Sequence, residues 1–284
     1  MVLLERAMAK ITLSLDVIGK RDDGYHDVEM VMTTIDLADQ LELDITTHDR
    51  IDVTADNQYV PNDERNLAYK AANVLKDTYH VKKGVRINIQ KNIPVSAGLG
   101  GGSSDAAAVL RALNRLWDLR LSLHQLAEIG AAIGSDVPFC VYGGTALVSG
   151  RGERVQKLSS PPPCWVILAK PNIGVSTRNI FKHVHIDDIN HTNTDSVQEA
   201  ISNNDFYKLC LCIGNALEDI TFNRYPETKH LRDKMLKYGA PGVLMSGSGP
   251  TVYGLVEQHT KAQRICNGLR GFCKEVYMVR IVGY

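Results

Sequence analysis

The segment Pro94-Val95-Ser96-Ala97-Gly98-Leu99-Gly100-Gly101-Gly102-Ser103-Ser104-Asp105 constrains the fold of this chain more than any other. It follows an alternating run, Val85, Ile87 and Ile89, that reads as a strand. It precedes Ala106, Val109, Leu110, Leu113 and Trp117, whose spacing marks one face of a helix starting near Ser103. A strand, a turn almost without side chains and a helix, in that order, leave backbone N–H groups open at a helix N-terminus, where the partial positive charge favours an anion. The natural guest is a polyphosphate. Helix packing alone needs one or two glycines here, and each further glycine raises the entropic cost of ordering the turn.

The loop is not of the Walker A kind, because Gly102-Ser103-Ser104 lacks the lysine of G-K-[ST]. Gly98, Gly100 and Ser103 fall at the spacing of a dinucleotide fingerprint, a weak match by itself, and no βαβ unit opens the chain. Instead Ile11, Leu13, Leu15 and Val17 alternate as in a half-buried strand, and sheet character continues through 28–34, 41–45 and 51–54. Asn66 stands where an N-cap belongs before Leu67, Ala71, Val74, Leu75 and Tyr79, with Gly84 as a stop. Ser122 and Gln125 have capping-box spacing ahead of a helix ending at Gly134. The stiff Ser159-Ser160-Pro161-Pro162-Pro163 marks a division into 1–158 and 159–284. Downstream come an apolar strand at 165–169, a His/Asn/Asp-rich stretch at 182–196, helices, and a second glycine-rich turn before a strand at 252–256. Two α+β layers with the active site between them are the expected architecture.

With 284 residues, 44% of them hydrophobic and 23% charged, the chain is long and apolar enough for one or two cores, which excludes wholesale disorder. Lys plus Arg and Asp plus Glu both number 32, so no net field draws the chain to nucleic acid or to an anionic membrane surface. The six cysteines have no C-x-x-C pairing or zinc-finger spacing and read as reduced packing residues. No run approaches the ~18 apolar residues of a membrane span. A soluble, cytoplasmic protein is expected.

Three further features carry chemistry. Lys10 lies in Ala7-Met8-Ala9-Lys10-Ile11, and Gly134-Ser135-Asp136-Val137-Pro138-Phe139 places one carboxylate after a helix C-terminus, where the dipole gives it no help. Such an Asp needs a cationic partner or a function. Leu244-Met245-Ser246-Gly247-Ser248-Gly249-Pro250-Thr251 is another small-residue turn beside a strand. Each also has an ordinary reading: a surface lysine, a capped surface carboxylate, a hairpin connection. His183, His185 and His191 lie in no metal-binding pattern and read as solvated loop residues.

Taken in order, the Lys10 segment, the Pro94–Ser104 loop and the Gly247-Ser248-Gly249-Pro250 turn resemble the three motifs of the GHMP kinase superfamily. Gly19-Lys20-Arg21-Asp22-Asp23-Gly24-Tyr25-His26, Gly134–Phe139 and Lys170-Pro171 resemble one branch of it. That branch phosphorylates 4-diphosphocytidyl-2-C-methyl-D-erythritol, a cytidine diphosphate conjugate, in the non-mevalonate isoprenoid pathway. The resemblance implies an α+β fold of two domains, a ribosomal-protein-S5-like N-terminal one and a ferredoxin-like C-terminal one, with the active site in the cleft. It implies ATP and Mg2+ as cofactors and transfer of the γ-phosphoryl group to the 2-hydroxyl of the methylerythritol unit. Carried over by position, Asp136 is the catalytic base and Lys10 its cationic neighbour. Pro94, Gly98, Leu99, Gly100, Gly101, Gly102, Ser103 and Ser104 wrap the phosphates, Ser103 or Ser104 meets the magnesium, and Asn66 and Lys91 border the adenine. Tyr25, His26 and Phe181 hold the cytidine.

Two positions depart from the family pattern Ala-Pro-Ala-Lys-Ile-Asn-Leu: Met8 replaces Pro, and Thr12 replaces an Asn that would contact the methylerythritol. A hydroxyl lacks the paired donor and acceptor of an amide. The alternatives are another GHMP kinase acting on a sugar, homoserine or a mevalonate derivative, or an inactive homologue that binds nucleotide or a partner protein.

Overall fold

The computed structural model describes residues 2–283. The chain opens with two long strands, β1 (Val2–Lys20) and β2 (His26–Thr46), paired antiparallel. After them come β3 (Ile51–Ala55), α1 (Leu67–Thr78), β4 (Gly84–Gln90), α2 (Gly101–Leu116), α3 (Leu123–Ile133), α4 (Val137–Tyr142), β5 (Thr145–Gly150) and β6 (Arg154–Leu158). Beyond the prolines lie β7 (Trp165–Lys170), α5 (Thr177–Phe181), α6 (Thr194–Ser202), α7 (Phe206–Cys212), the two-residue β8 (Gly214–Asn215), α8 (Glu218–Arg224) and α9 (Pro226–Lys237). The chain finishes with β9 (Gly242–Met245), β10 (Val252–Val256), α10 (His259–Arg270) and β11 (Glu275–Arg280).

Two sheets result. The first runs β3-β4-β2-β1-β8, with β5 pairing to β2 and β6 to β5; the second is antiparallel in the order β11-β7-β10-β9. One edge of β2 serves two neighbours, β5 along Val28–Thr33 and β4 along Gln40–Thr46. In the gap between them Ile35 bridges to Ile281 and Arg280 N–H donates to Asp36, which ties the end of β11 to the first sheet.

One apolar cluster joins the first sheet to α1, α2, α3 and α4 and also takes in Ile180, Leu217, Phe222 and Met245 from the second half. A second lies between the two sheets and includes α6 and α7; a third lies under α9 and α10. The alternation in β1 predicts a half-buried strand, but residues 9–17 are all buried, because helices cover one face and the second sheet covers the other. Register shifts at Met8/Lys10 and Thr12/Ser14 change which core each side chain serves. Ala7 belongs to the helix-side cluster, Ala9, Ile11 and Leu13 to the intersheet one, and Leu15 and Val17 to the helix side again. At Thr12/Ser14 β1 carries one residue more than β2, which exchanges the faces of a two-residue repeat.

Asn66 caps α1 by accepting from Ala68 N–H, and Ser122 with Gln125 forms the full capping box of α3. Gly84 is not the stop of α1, which ends at Thr78; it opens β4, where a Cβ would strike the carbonyl oxygens of His48 and Arg50. No described helix is long and apolar enough to cross a membrane.

Candidate active site

A cavity of about 1120 Å³ lies between the turn after β4, the start of α1, the 23–26 turn, α5 and the 247–248 turn. Of the residues predicted from sequence, Lys10, Tyr25, His26, Asn66, Lys91, Pro94, Gly98, Leu99, Gly100, Gly101, Gly102, Ser103, Asp136 and Phe181 all line it.

The glycine turn does what its composition predicts. Gly100 precedes α2 in the left-handed region, at φ 69°, with no side chain capping the helix. The first bond of the helical ladder is Ser104 N–H to Gly100 C=O, so the amides of Gly101, Gly102 and Ser103 lie in the first turn, ahead of that ladder. Gly98, at φ 74°, packs so closely on the 246–249 turn that a Cβ would strike the Ser246 carbonyl. Ser246 Oγ donates to Gly98 C=O at 2.9 Å, and Thr251 N–H donates to Ala97 C=O, so the two small-residue turns are bonded to one another. Asn215 and Thr221 brace the second turn from behind, Asn215 Nδ2 donating to the carbonyls of Met245 and Gly247 and Thr221 to that of Ser248.

Lys10 threads between the two turns. A Cβ on Gly100 would stand 3.1 Å from Lys10 Cγ, and one on Gly247 would stand 3.3 Å from Nζ. The ammonium is 3.6 Å from Asp136 Oδ2, with the lysine side chain 5% exposed and the aspartate 31%. Sequence reasoning expects Asp136 at a helix C-terminus; α3 ends at Ile133, and Asp136 is the N-cap residue of α4, with Pro138 in its first turn. The carboxylate is therefore not opposed by the dipole of the helix it adjoins. It makes no capping bond and stays available to the cavity. Cys140 beside it is inert as a nucleophile, its thiol pushed up to about 12 by burial and by Asp136.

Two predicted contacts do not reach the cavity. Ser104 Oγ donates to Met8 C=O at 2.6 Å, so only Ser103 of the serine pair turns toward the cavity. Thr12 is fully buried and its hydroxyl accepts from Lys10 Nζ at 3.2 Å. Lys91 lines the wall, but its ammonium is held under the loop by Asp39 and by Asp105 Oδ2. Burial works against that charge, and Asp105 and Asp39 together outweigh it, raising the Lys91 pKa. Burial, against the pull of Lys91 and with the help of Asp39, raises the Asp105 carboxyl well above the ordinary range, and its Oδ1 has no partner. Asp39 also accepts from the N–H groups of Asn92 and Ile93. Lys91 thus closes the base of the loop, joining the strand that enters it to the helix that leaves it.

At the other end, the His26 and Phe181 rings lie 5.3 Å apart, and the Arg151 guanidinium stands 5.2 Å from the centroid of the Tyr25 ring. Burial and Lys20 lower the His26 pKa, which favours the neutral imidazole with one donor and one acceptor. Asp23 holds the turn by accepting from Tyr25 N–H and Arg21. Sequence reasoning missed Asp39, Asp105 and Arg151, since their partners are 14 to 126 residues distant in the chain: Lys91 for the first two, Tyr25 for the third. His191 is likewise no free loop residue; its Nδ1 pairs with the buried Asp16 at 2.9 Å.

A profile of the GHMP kinases N terminal domain matches residues 66–144, and one of the GHMP kinases C terminal domain matches 188–275. The chain belongs to the GHMP kinase family. Among its relatives, a 4-diphosphocytidyl-2-C-methyl-D-erythritol kinase of Geobacillus sp. (strain WCH70) is 58% identical to this GHMP kinase over 283 residues, covering 100% of this chain and 98% of the relative. The enzyme of the same name from Bacillus cytotoxicus is 57% identical over the same span and coverage. The crystal structure of a 4-(cytidine 5'-diphospho)-2C-methyl-D-erythritol kinase superposes with a TM-score of 0.83 at 33% identity, covering 99% of this chain and 100% of that one. The two-sheet α+β architecture is the GHMP kinase fold, and the family uses ATP.

Proposed function

We propose that this GHMP kinase transfers the γ-phosphoryl group of ATP to the 2-hydroxyl of 4-diphosphocytidyl-2-C-methyl-D-erythritol. The observation that carries this reading is the Lys10–Asp136 pair, set in one cavity between the glycine turn and the Tyr25–His26–Phe181 lobe. Relatives with 57–58% identity and nearly complete coverage bear the name of that reaction.

In this reading the amides at the start of α2 hold the triphosphate, with the N-terminus of a 16-residue helix behind them. Asp136 accepts the proton of the acceptor hydroxyl as its oxygen bonds to the γ-phosphorus and the bridging bond to ADP breaks. The Lys10 ammonium stands 3.6 Å from that carboxylate and faces the charge that develops on the transferred group. Tyr25 and Phe181 offer aromatic faces to a cytosine and His26 a hydrogen bond. No group of three or more His, Cys, Asp or Glu that would form a metal site exists among the described residues. The Ser103 hydroxyl at the cavity wall is the protein oxygen that would meet a magnesium ion, which would supply charge neutralisation at the nucleotide phosphates. In the same reading the domains divide at 158/159, between β6 and β7, and the balanced charge and free cysteines suit a cytoplasmic enzyme.

The test is ADP release by the purified protein with diphosphocytidyl-methylerythritol, free methylerythritol, mevalonate phosphates and homoserine. Turnover is expected with the first alone, and equal turnover of free methylerythritol overturns the cytidine assignment. Asp136→Ala should lower kcat by about 10²–10⁴-fold with ATP affinity nearly intact. Normal turnover in that variant removes Asp136 as the base.

A further inference from the structure

Thr12 stands where the family pattern has an Asn that would touch the acceptor, yet the structure gives its hydroxyl another task. Residues two apart on a strand share a face, so β1 presents Lys10 and Thr12 to the same side. The Thr12 hydroxyl accepts from Lys10 Nζ at 3.2 Å, while the residue is 0% exposed and forms no part of the cavity wall. Its backbone is fixed as well. Thr12 lies at a register shift of β1, and its carbonyl accepts the Tyr253 hydroxyl at 3.0 Å from β10 of the second sheet. Tyr253 is itself fully buried. The ammonium therefore has a fixed neutral acceptor on one side and the Asp136 carboxylate, 3.6 Å away, on the other.

We propose that Thr12 is a positioning residue that holds the Lys10 ammonium against Asp136, and that it makes no contact with the acceptor substrate. The inference rests on the Lys10–Asp136 reading above. A long lysine side chain has several rotamers to lose, and a buried hydroxyl at hydrogen-bond distance selects the one that points at the base. A methyl group in the same place leaves the ammonium with one partner fewer and the same volume to fill.

The experiment is a double-mutant cycle of Thr12→Val and Lys10→Ala, with kcat and the acceptor KM measured separately and melting temperature as a check on folding. Thr12→Val is expected to lower kcat about tenfold with the acceptor KM within about twofold of the parent, since one orienting hydrogen bond is lost. Thr12→Ser, which keeps the hydroxyl, should restore most of the rate. In the Lys10→Ala background the Thr12→Val change should have almost no further effect on kcat, because the group it orients is gone. A rise in acceptor KM at unchanged kcat would mean that Thr12 meets the substrate, and the proposal fails. It fails equally if Thr12→Val lowers kcat to the same extent with and without Lys10, or if both kinetic constants stay at parental values. An unchanged kcat in Lys10→Ala alone instead overturns the underlying assignment of Lys10. Should the valine variant not fold, Thr12→Ala takes its place in the cycle.

Discussion

At the end of the cavity proposed for the nucleotide the wall is mostly backbone, the amides of Gly101, Gly102 and Ser103, and it rests on the buried charges of Lys91, Asp39 and Asp105. At the end proposed for the acceptor the wall is side chains: Tyr25 is 53% exposed with Arg151 against its ring, and the His26 and Phe181 rings face each other nearby. Backbone donors read a feature common to every nucleoside triphosphate, and they work only if the turn is held rigid. Aromatic and imidazole groups read one base, and they tolerate motion until the ligand arrives. Disturbance at the first end should therefore appear in both stability and nucleotide binding, whereas disturbance at the second should appear in acceptor affinity alone.

The sharpest way to break this contrast is Lys91→Met. It leaves the Asp39 and Asp105 carboxyl groups facing each other without their cation, and the loss of one partner from a buried ionic cluster costs about 3–5 kcal/mol. Urea denaturation should show that loss, together with a raised KM for ATP; an unchanged midpoint would mean that the cluster does not hold the loop. Gly98→Ala comes next. The new Cβ meets the Ser246 carbonyl at a residue whose φ is 74°, so strain and overpacking of about 1–3 kcal/mol should accompany weaker ATP binding in calorimetry. Tyr25→Ala has the smallest expected effect, about a tenfold rise in acceptor KM with the ATP KM and melting temperature close to parental values, as befits a half-exposed side chain. If that variant impaired ATP binding instead, the two ends would not be separable.

Much of the nucleotide end is legible in the sequence because its signals are local. The strand, glycine turn and helix are consecutive, and caps such as Asn66 and the Ser122–Gln125 box act across two or three residues. Even there, adjacency hides the division of labour between neighbours: Ser103 faces the cavity while Ser104 is taken by the Met8 carbonyl, 96 residues away. Asp136 was legible as a carboxylate in need of a cation just past a helix ending at Gly134, but the short α4 that begins beside it was not. The register shifts of β1 have no sequence mark at all, since Ile11, Leu13, Leu15 and Val17 keep an unbroken alternation while the cores they enter change at residue 14.

What the chain's order of residues determined by itself is the family and the form of the turn: a segment nearly free of side chains before a helix leaves its backbone donors open, which is the arrangement proposed above as the phosphate cradle. What only the tertiary structure decided is how the groups are shared out. Lys91 serves the carboxylates beneath the loop, Lys10 passes between two bare glycines to reach Asp136, and Thr12 is sealed behind it. The carboxylates that meet Lys91 and Lys10 come from 14 to 126 residues away, and such pairings are settled only when burial removes water as the alternative partner.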